Sequence, residues 1–146
     1  MSLGCVVLGG RESAQEELGI LRQILLIDDN PLQLKVRETV LRQAGFQVSV
    51  ATTADSALAI LRVLSGNIGL IITDHLMPGC SGSELVRQIR GRKIATPIIV
   101  LSGLPEAEAE YEGLDVLFRA KPFPAPELIE LVRATVCPDE SCRGAA

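Results

Sequence analysis

From Gln23 onward, short unbroken apolar runs alternate with stretches whose apolar residues recur every three or four positions. Ile24-Leu25-Leu26-Ile27 is continuous and ends in two acids, Asp28 and Asp29, as a strand buried on both faces reads. Pro31 suits a first helical turn, and Leu32, Val36, Val40 and Ala44 follow at helical spacing until Gly45 stops the helix. Phe46 to Ala51 predicts a second strand. Thr52-Thr53-Ala54-Asp55 then offers N-cap chemistry to a helix carrying Ala57, Leu58, Leu61 and Leu64, closed by Gly66-Asn67.

The alternation continues. Ile68 to Thr73 is a third apolar run ending in an acid, Asp74. A turn-rich loop, Met77 to Gly82, leads to a helix that Ser83 is expected to cap and that runs through Arg90. Pro97 to Leu101 predicts a fourth strand ending at Ser102. Pro105 to Glu112 is polar, with room for about two helical turns. Asp115 to Ala120 predicts a fifth strand ending at Lys121-Pro122, and Pro124 to Val136 a last helix. Most of the five strands are too apolar to have a wet face. A parallel sheet covered by helices on both sides is therefore predicted, an α/β architecture.

Composition narrows the class. With 47% of its 146 residues hydrophobic, the chain can bury one core and is too short for two ordinary domains. Aromatics are 3%, so that core must come from Leu, Ile, Val and Ala. The formal charge of −4 carries no block of like sign, which speaks against nucleic acid as a partner. No apolar run is long enough to cross a bilayer. Residues 1–22 read as an N-terminal extension, 23–137 as the domain and 138–146 as a tail. Gly9-Gly10 after Val6-Val7-Leu8 lacks the third glycine of a dinucleotide loop. Residues 3–10 lack the basic region and cleavage pattern of a leader, so a cytoplasmic location is expected. Cys5, Cys80, Cys137 and Cys142 are scattered and expected as reduced thiols, with a Cys137–Cys142 link left open.

The chemistry lies at the strand ends. Asp28, Asp29, Asp74, Ser102 and Lys121 each follow an apolar run, and in an open parallel sheet those ends meet along one edge. Three clustered carboxylates repel one another unless a cation joins them, and Mg²⁺ suits a partly hydrated carboxylate site. A lysine beside such a metal can hold an anion. The set therefore suits a phosphoryl group, with a carboxylate as the attacking nucleophile.

Four pieces carry a family resemblance: Leu25-Leu26-Ile27-Asp28-Asp29-Asn30, Asp74-His75-Leu76-Met77-Pro78 with Gly82, Leu101-Ser102-Gly103, and Lys121-Pro122-Phe123. In order and spacing they resemble a response-regulator receiver domain of two-component signalling, of the CheY-like superfamily. The resemblance spans about Gln23 to Cys137. It implies a flavodoxin-like three-layer sandwich with strand order 2-1-3-4-5. It implies Asp74 as phosphoacceptor, and Mg²⁺ held by Asp29, Asp74, the backbone carbonyl of Leu76 and, through water, Asp28. Ser102 matches the hydroxyl that moves toward the phosphoryl group, Lys121 the lysine that pairs with it, and Phe118 the aromatic that turns with Ser102. A cis Lys121-Pro122 bond is also implied. His75 is read as a solvated loop residue without a role.

The implied function is that of a phosphorylation switch rather than a turnover enzyme. Its partners would be a histidine kinase or phosphotransfer protein, a downstream protein that the sequence does not name, and optionally a second copy of the chain. Only ten residues follow Val136, so a stand-alone receiver or a piece of a longer protein, such as a hybrid sensor kinase, is expected. Two departures stand out. The segment between Ser102 and Phe118 is short by about one helical turn and acidic, with Glu106, Glu108, Glu110 and Glu112. Leu76 and Leu104, at positions that tune water access in the family, are both apolar, which predicts slow self-dephosphorylation. Two rival readings are a binding module that signals without phosphorylation and a haloacid-dehalogenase-type phosphatase. The latter needs a second acid two residues after its nucleophile on the first strand, and Asp28-Asp29-Asn30-Pro31 does not supply it.

Overall fold

A computed structural model describes residues 23–136; the predicted extension and tail, with Cys5, Cys137 and Cys142, lie outside the described residues. The apolar runs form five parallel strands: β1 (Gln23–Ile27), β2 (Val48–Ala51), β3 (Ile68–Asp74), β4 (Ile98–Ser102) and β5 (Leu117–Ala120). Their order is β2-β1-β3-β4-β5. Helices α1 (Pro31–Gln43), α2 (Ala54–Leu64), α3 (Gly82–Gly91) and α4 (Ala125–Val136) cover the two faces, and Pro105–Tyr111 is a 3-10 helix. This is the expected three-layer sandwich with its fourth helical segment shortened.

Successive strand residues point to opposite faces, so the sheet divides its core in two. Leu25, Ile27, Ile71 and Val100 pack with Ala57, Leu58 and Leu61 of α2 and Leu85, Val86 and Ile89 of α3. Leu26, Ile72, Ile99 and Leu101 pack with Leu34 and Leu41 of α1 and Leu128 and Val132 of α4. Burying both faces of the central strands is what their unbroken apolar runs require.

The helix starts are chemically specified. Asn30 caps α1 by accepting from the Leu32 and Gln33 amides at 3.0 and 3.2 Å, and Pro31 supplies a preset φ. Thr53 Oγ1 accepts from the Ser56 amide at 3.0 Å ahead of α2. The cap of α3 is Ser81, not Ser83: Ser81 Oγ accepts from the Glu84 amide and Glu84 accepts from the Ser81 amide, a complete capping box. Ser83 lies inside the helix, buried, and donates to Glu110 Oε1 at 2.8 Å.

Strand and helix limits differ from expectation where the backbone turns. Phe46 closes α1 through its amide bond to the Leu41 carbonyl, so β2 starts at Val48. Asp115 has φ +60°, a left-handed value no strand accepts, so β5 starts at Leu117. The predicted stripe of α1 is also turned. Leu34 and Leu41 reach the sheet, whereas Leu32 and Val36 are exposed.

At the N-terminal ends of β4 and β5, Arg90 at the end of α3 fastens two loops. Its guanidinium donates to the carbonyls of Ile94, Thr96, Leu114 and Asp115 at 2.7–2.9 Å.

Candidate phosphoryl and metal site

Parallel registry brings distant acids together. Ile27 pairs with Thr73, and Asp74 with Leu101, so the residues that follow β1 and end β3 are neighbours at one rim. The Lys121 amide donates to the Ser102 carbonyl at 2.7 Å, which sets the end of β5 against that of β4. Asp28, Asp29 and Asp74 each offer a carboxylate oxygen, and these oxygens all lie within 4.8 Å of one another. Lys121 Nζ lies 2.9 Å from Asp74 Oδ1. The Lys121–Pro122 peptide bond is cis.

The three acids differ in setting. Asp28 is 0% exposed, Asp74 is buried, and Asp29 faces solvent. Burial is the main reason that the Asp28 carboxyl titrates above its ordinary value; the Asn30 amide at 2.9 Å works the other way, and the charge of Asp74 adds to the rise. A buried carboxylate disfavoured by its own desolvation, with two more acids at hand, is a donor set for a hard cation with oxygen preference. Mg²⁺ fits those residues.

The remaining predicted residues are placed with different degrees of closeness. Ser102 is buried at the end of β4, but its hydroxyl faces its own loop, accepting from the Leu104 amide at 2.9 Å. Phe118 lies half-buried in β5 with its ring 5.7 Å from that of Tyr111. Leu76 and Leu104 both project to solvent, at 60% and 38% exposure.

One participant was absent from the sequence reading and another was misjudged. Arg37, at the end of the second turn of α1, places Nη1 2.8 Å from Asp28 Oδ2 and 3.5 Å from Asp74 Oδ1. It lies between Leu34 and Leu41 in sequence, and choosing the Leu32–Val36–Val40 stripe as the helix face hid it. His75 is the second, and the solvated-loop expectation is corrected: it is 4% exposed, with Nδ1 hydrogen-bonded to the Tyr111 hydroxyl at 2.6 Å. Its Nε2 lies 3.7 Å from Glu110 Oε2. Tyr111 comes from the shortened 3-10 segment, so that segment is tied to the residue next to Asp74. Burial is the leading reason that the Tyr111 phenol titrates above the ordinary tyrosine range. The close packing is possible because residue 82 is glycine: a Cβ there would lie 2.6 Å from the Asp74 carbonyl oxygen.

A parallel 2-1-3-4-5 sheet with acids after β1 and at the end of β3, and a lysine after β5, defines the receiver class of signalling domain. The family model for the response regulator receiver domain matches residues 24–133, and the chain belongs to that family, the receivers of two-component systems. It is 35% identical over 107 residues to the two-component response regulator ORR22 of rice, Oryza sativa subsp. indica, covering 73% of this chain and 15% of that protein. It is 33% identical over 115 residues to the transcriptional regulatory protein ResD of Bacillus subtilis (strain 168), covering 77% and 47%. The chain thus spans less than half the length of either relative. Among solved structures, a response regulator receiver protein from Pseudomonas putida matches with TM-score 0.71 and 32% identity, covering 77% of this chain and 95% of that one. The receiver domain of the hybrid histidine kinase CckA matches with TM-score 0.67 and 32% identity, covering 78% and 98%. Among the described residues, no helix is long and apolar enough to cross a membrane.

Proposed function

We propose that this receiver takes a phosphoryl group on Asp74 from a histidine kinase or phosphotransfer protein, in a Mg²⁺-dependent reaction, and signals through protein contacts in the cytoplasm. The observation that carries this reading is the convergence of Asp28, Asp29 and Asp74 with Lys121 Nζ 2.9 Å from Asp74 Oδ1. In the transfer, an Asp74 carboxylate oxygen bonds to phosphorus as the donor's nitrogen–phosphorus bond breaks, and the departing imidazole keeps the electron pair. Mg²⁺ would supply charge neutralisation at the phosphoryl oxygens. Asp29, Asp74 and the Leu76 carbonyl would hold it directly, and Asp28 through water.

Lys121 pairs with the phosphoryl group in place of the Asp74 oxygen it now holds. Ser102 exchanges its local bond to the Leu104 amide for a phosphoryl oxygen, which pulls on the loop between β4 and the 3-10 segment. Phe118 follows into the space the loop vacates. Beside the site, Leu32, Val36 and Val40 of α1 and Phe123 and Leu128 line an open groove of about 560 Å³ whose wall also includes Arg37 and Lys121. Its apolar walls and its closeness to Lys121 suit the helical surface of a phosphodonor. Exposed Leu76 and Leu104 flank the acceptor and slow the approach of water to the acyl phosphate.

Intact mass after treatment with acetyl phosphate and Mg²⁺, beside an Asp74→Asn variant, tests the reading. One added phosphoryl in the parent alone is expected; equal addition to both, or none to the parent, overturns it. The likeness to the CckA receiver favours a second reading, that the domain is part of a hybrid histidine kinase. The coding sequence around this segment distinguishes the two.

A further inference from the structure

Arg37 is a cation on a helix face that otherwise meets the sheet through leucines. Leu34 and Leu41 are buried on either side of it, and its own side chain is 16% exposed. Holding a guanidinium there costs hydration and rotamer freedom, which its contacts must offset. Those contacts are Asp28 Oδ2 at 2.8 Å and Asp74 Oδ1 at 3.5 Å. Two of the three carboxylates available to a metal ion therefore already share a protein cation.

We propose that Arg37 is a tethered counter-ion of the acid cluster, which Mg²⁺ must displace, so that Arg37 weakens the site's affinity for the metal. The proposal rests on the reading of that cluster as the Mg²⁺ site. Charge counting supports it. Three carboxylates carry −3 and Lys121 with Arg37 carry +2, leaving −1 for a divalent ion to meet; without Arg37 the remainder is −2. Asp28 Oδ2 lends its charge either to the guanidinium or to the metal, and like charges a few ångströms apart in a partly buried site repel strongly.

The test uses the whole 146-residue chain, Mn²⁺ as a paramagnetic probe with Mg²⁺ as competitor, and Arg37→Gln beside the parent. Glutamine keeps much of the length of the side chain and removes its charge. Binding about tenfold tighter in the variant is expected, the worth of one charge-assisted hydrogen bond. Metal binding of equal strength in both overturns the counter-ion proposal and leaves the metal site standing. No metal binding in either overturns the metal reading, and this proposal with it. Nitrogen NMR of the Arg37 guanidinium in the parent supplies a readout that needs no variant. Its Nη signals should move toward those of free arginine as Mg²⁺ is added, and signals unmoved at saturating metal overturn the proposal.

Discussion

Gly82 is the point where the site and the fold meet most tightly, and replacing it with alanine puts a number on that contact. A methyl group there would lie 2.6 Å from the Asp74 carbonyl oxygen, 2.6 Å from the Tyr111 hydroxyl and 2.9 Å from His75 Cα. Ordinary carbon–oxygen contacts begin near ~3.3 Å, so the methyl is short by about 0.7 Å on two sides at once. Two of the three atoms are backbone and cannot rotate away; only the Tyr111 hydroxyl sits on a side chain. Relief requires α3 to back away from the end of β3, which also strains the hydrogen bond that the Gly82 amide donates to the His75 carbonyl at 2.6 Å. Overpacking of this kind costs about 2–3 kcal/mol. With a urea slope near ~2 kcal/mol/M, the unfolding midpoint should fall by about 1 M or more. Gly91→Ala, at the other end of α3 with nothing within 4 Å, is the matched control. It should be neutral or stabilise by up to about 1 kcal/mol, from helix propensity. Gly82→Ala combined with Tyr111→Phe should recover only the share of the loss that belongs to the hydroxyl. A Gly82→Ala unfolding free energy within about 0.5 kcal/mol of the parent would refute the reasoning, because surface substitutions fall in that range.

Three further outcomes are expected. Tyr111 is raised above its ordinary value of about 10, chiefly by burial, so the folded state favours the neutral phenol. Its stabilising share is complete below about pH 10 and is lost as pH rises through the folded value, so Tyr111→Phe should flatten the alkaline limb of the stability–pH curve. Because Tyr111 is the sole tyrosine, phenolate absorbance reads it directly, and titration near the ordinary value in the native protein would contradict the burial. Arg90→Ala should cost about 2–4 kcal/mol, since four loop carbonyls lose a charged donor, and Arg90→Lys should restore little because a point charge cannot reach all four; full rescue by lysine in urea unfolding would exclude the fork geometry. Loss of radiolabelled phosphate from the phosphorylated parent should be slower than from a Leu76→Asn, Leu104→Glu variant, and equal rates would remove the proposed role of the two leucines.

Much of this arrangement is written in local pattern. Residues 24–27, 70–72 and 98–101 are apolar without a break, and such runs have few ways to be buried other than as central parallel strands. Once those strands exist, an acid or lysine at or just beyond the end of each lands on a common rim, so the meeting of Asp28, Asp29, Asp74 and Lys121 is legible in the sequence. What could not be read depends on partners brought by the tertiary fold. His75 looks like any polar loop residue until Tyr111, 36 positions later, closes over it. Arg37 is hidden for another reason: two stripes on α1 satisfy helical spacing, and only contact with the sheet selects the one through Leu34 and Leu41. Ser81 and Ser83 both suit a cap, and the choice fell to Ser81 because Glu84 stands three residues after it.

The Arg90 clamp gives the molecule a fixed pole. It fastens the loops entering β4 and β5 at the end of the sheet farthest from Asp74, leaving the stretch 103–112 joined to the acid rim by the Tyr111–His75 bond and to α3 through Glu110. If Asp74 is phosphorylated as proposed, a change begun at the acids would meet the Arg90 clamp at the opposite end of the sheet. A partner reading the proposed modified state would then find its footing on the short, acid-rich stretch beside Tyr111.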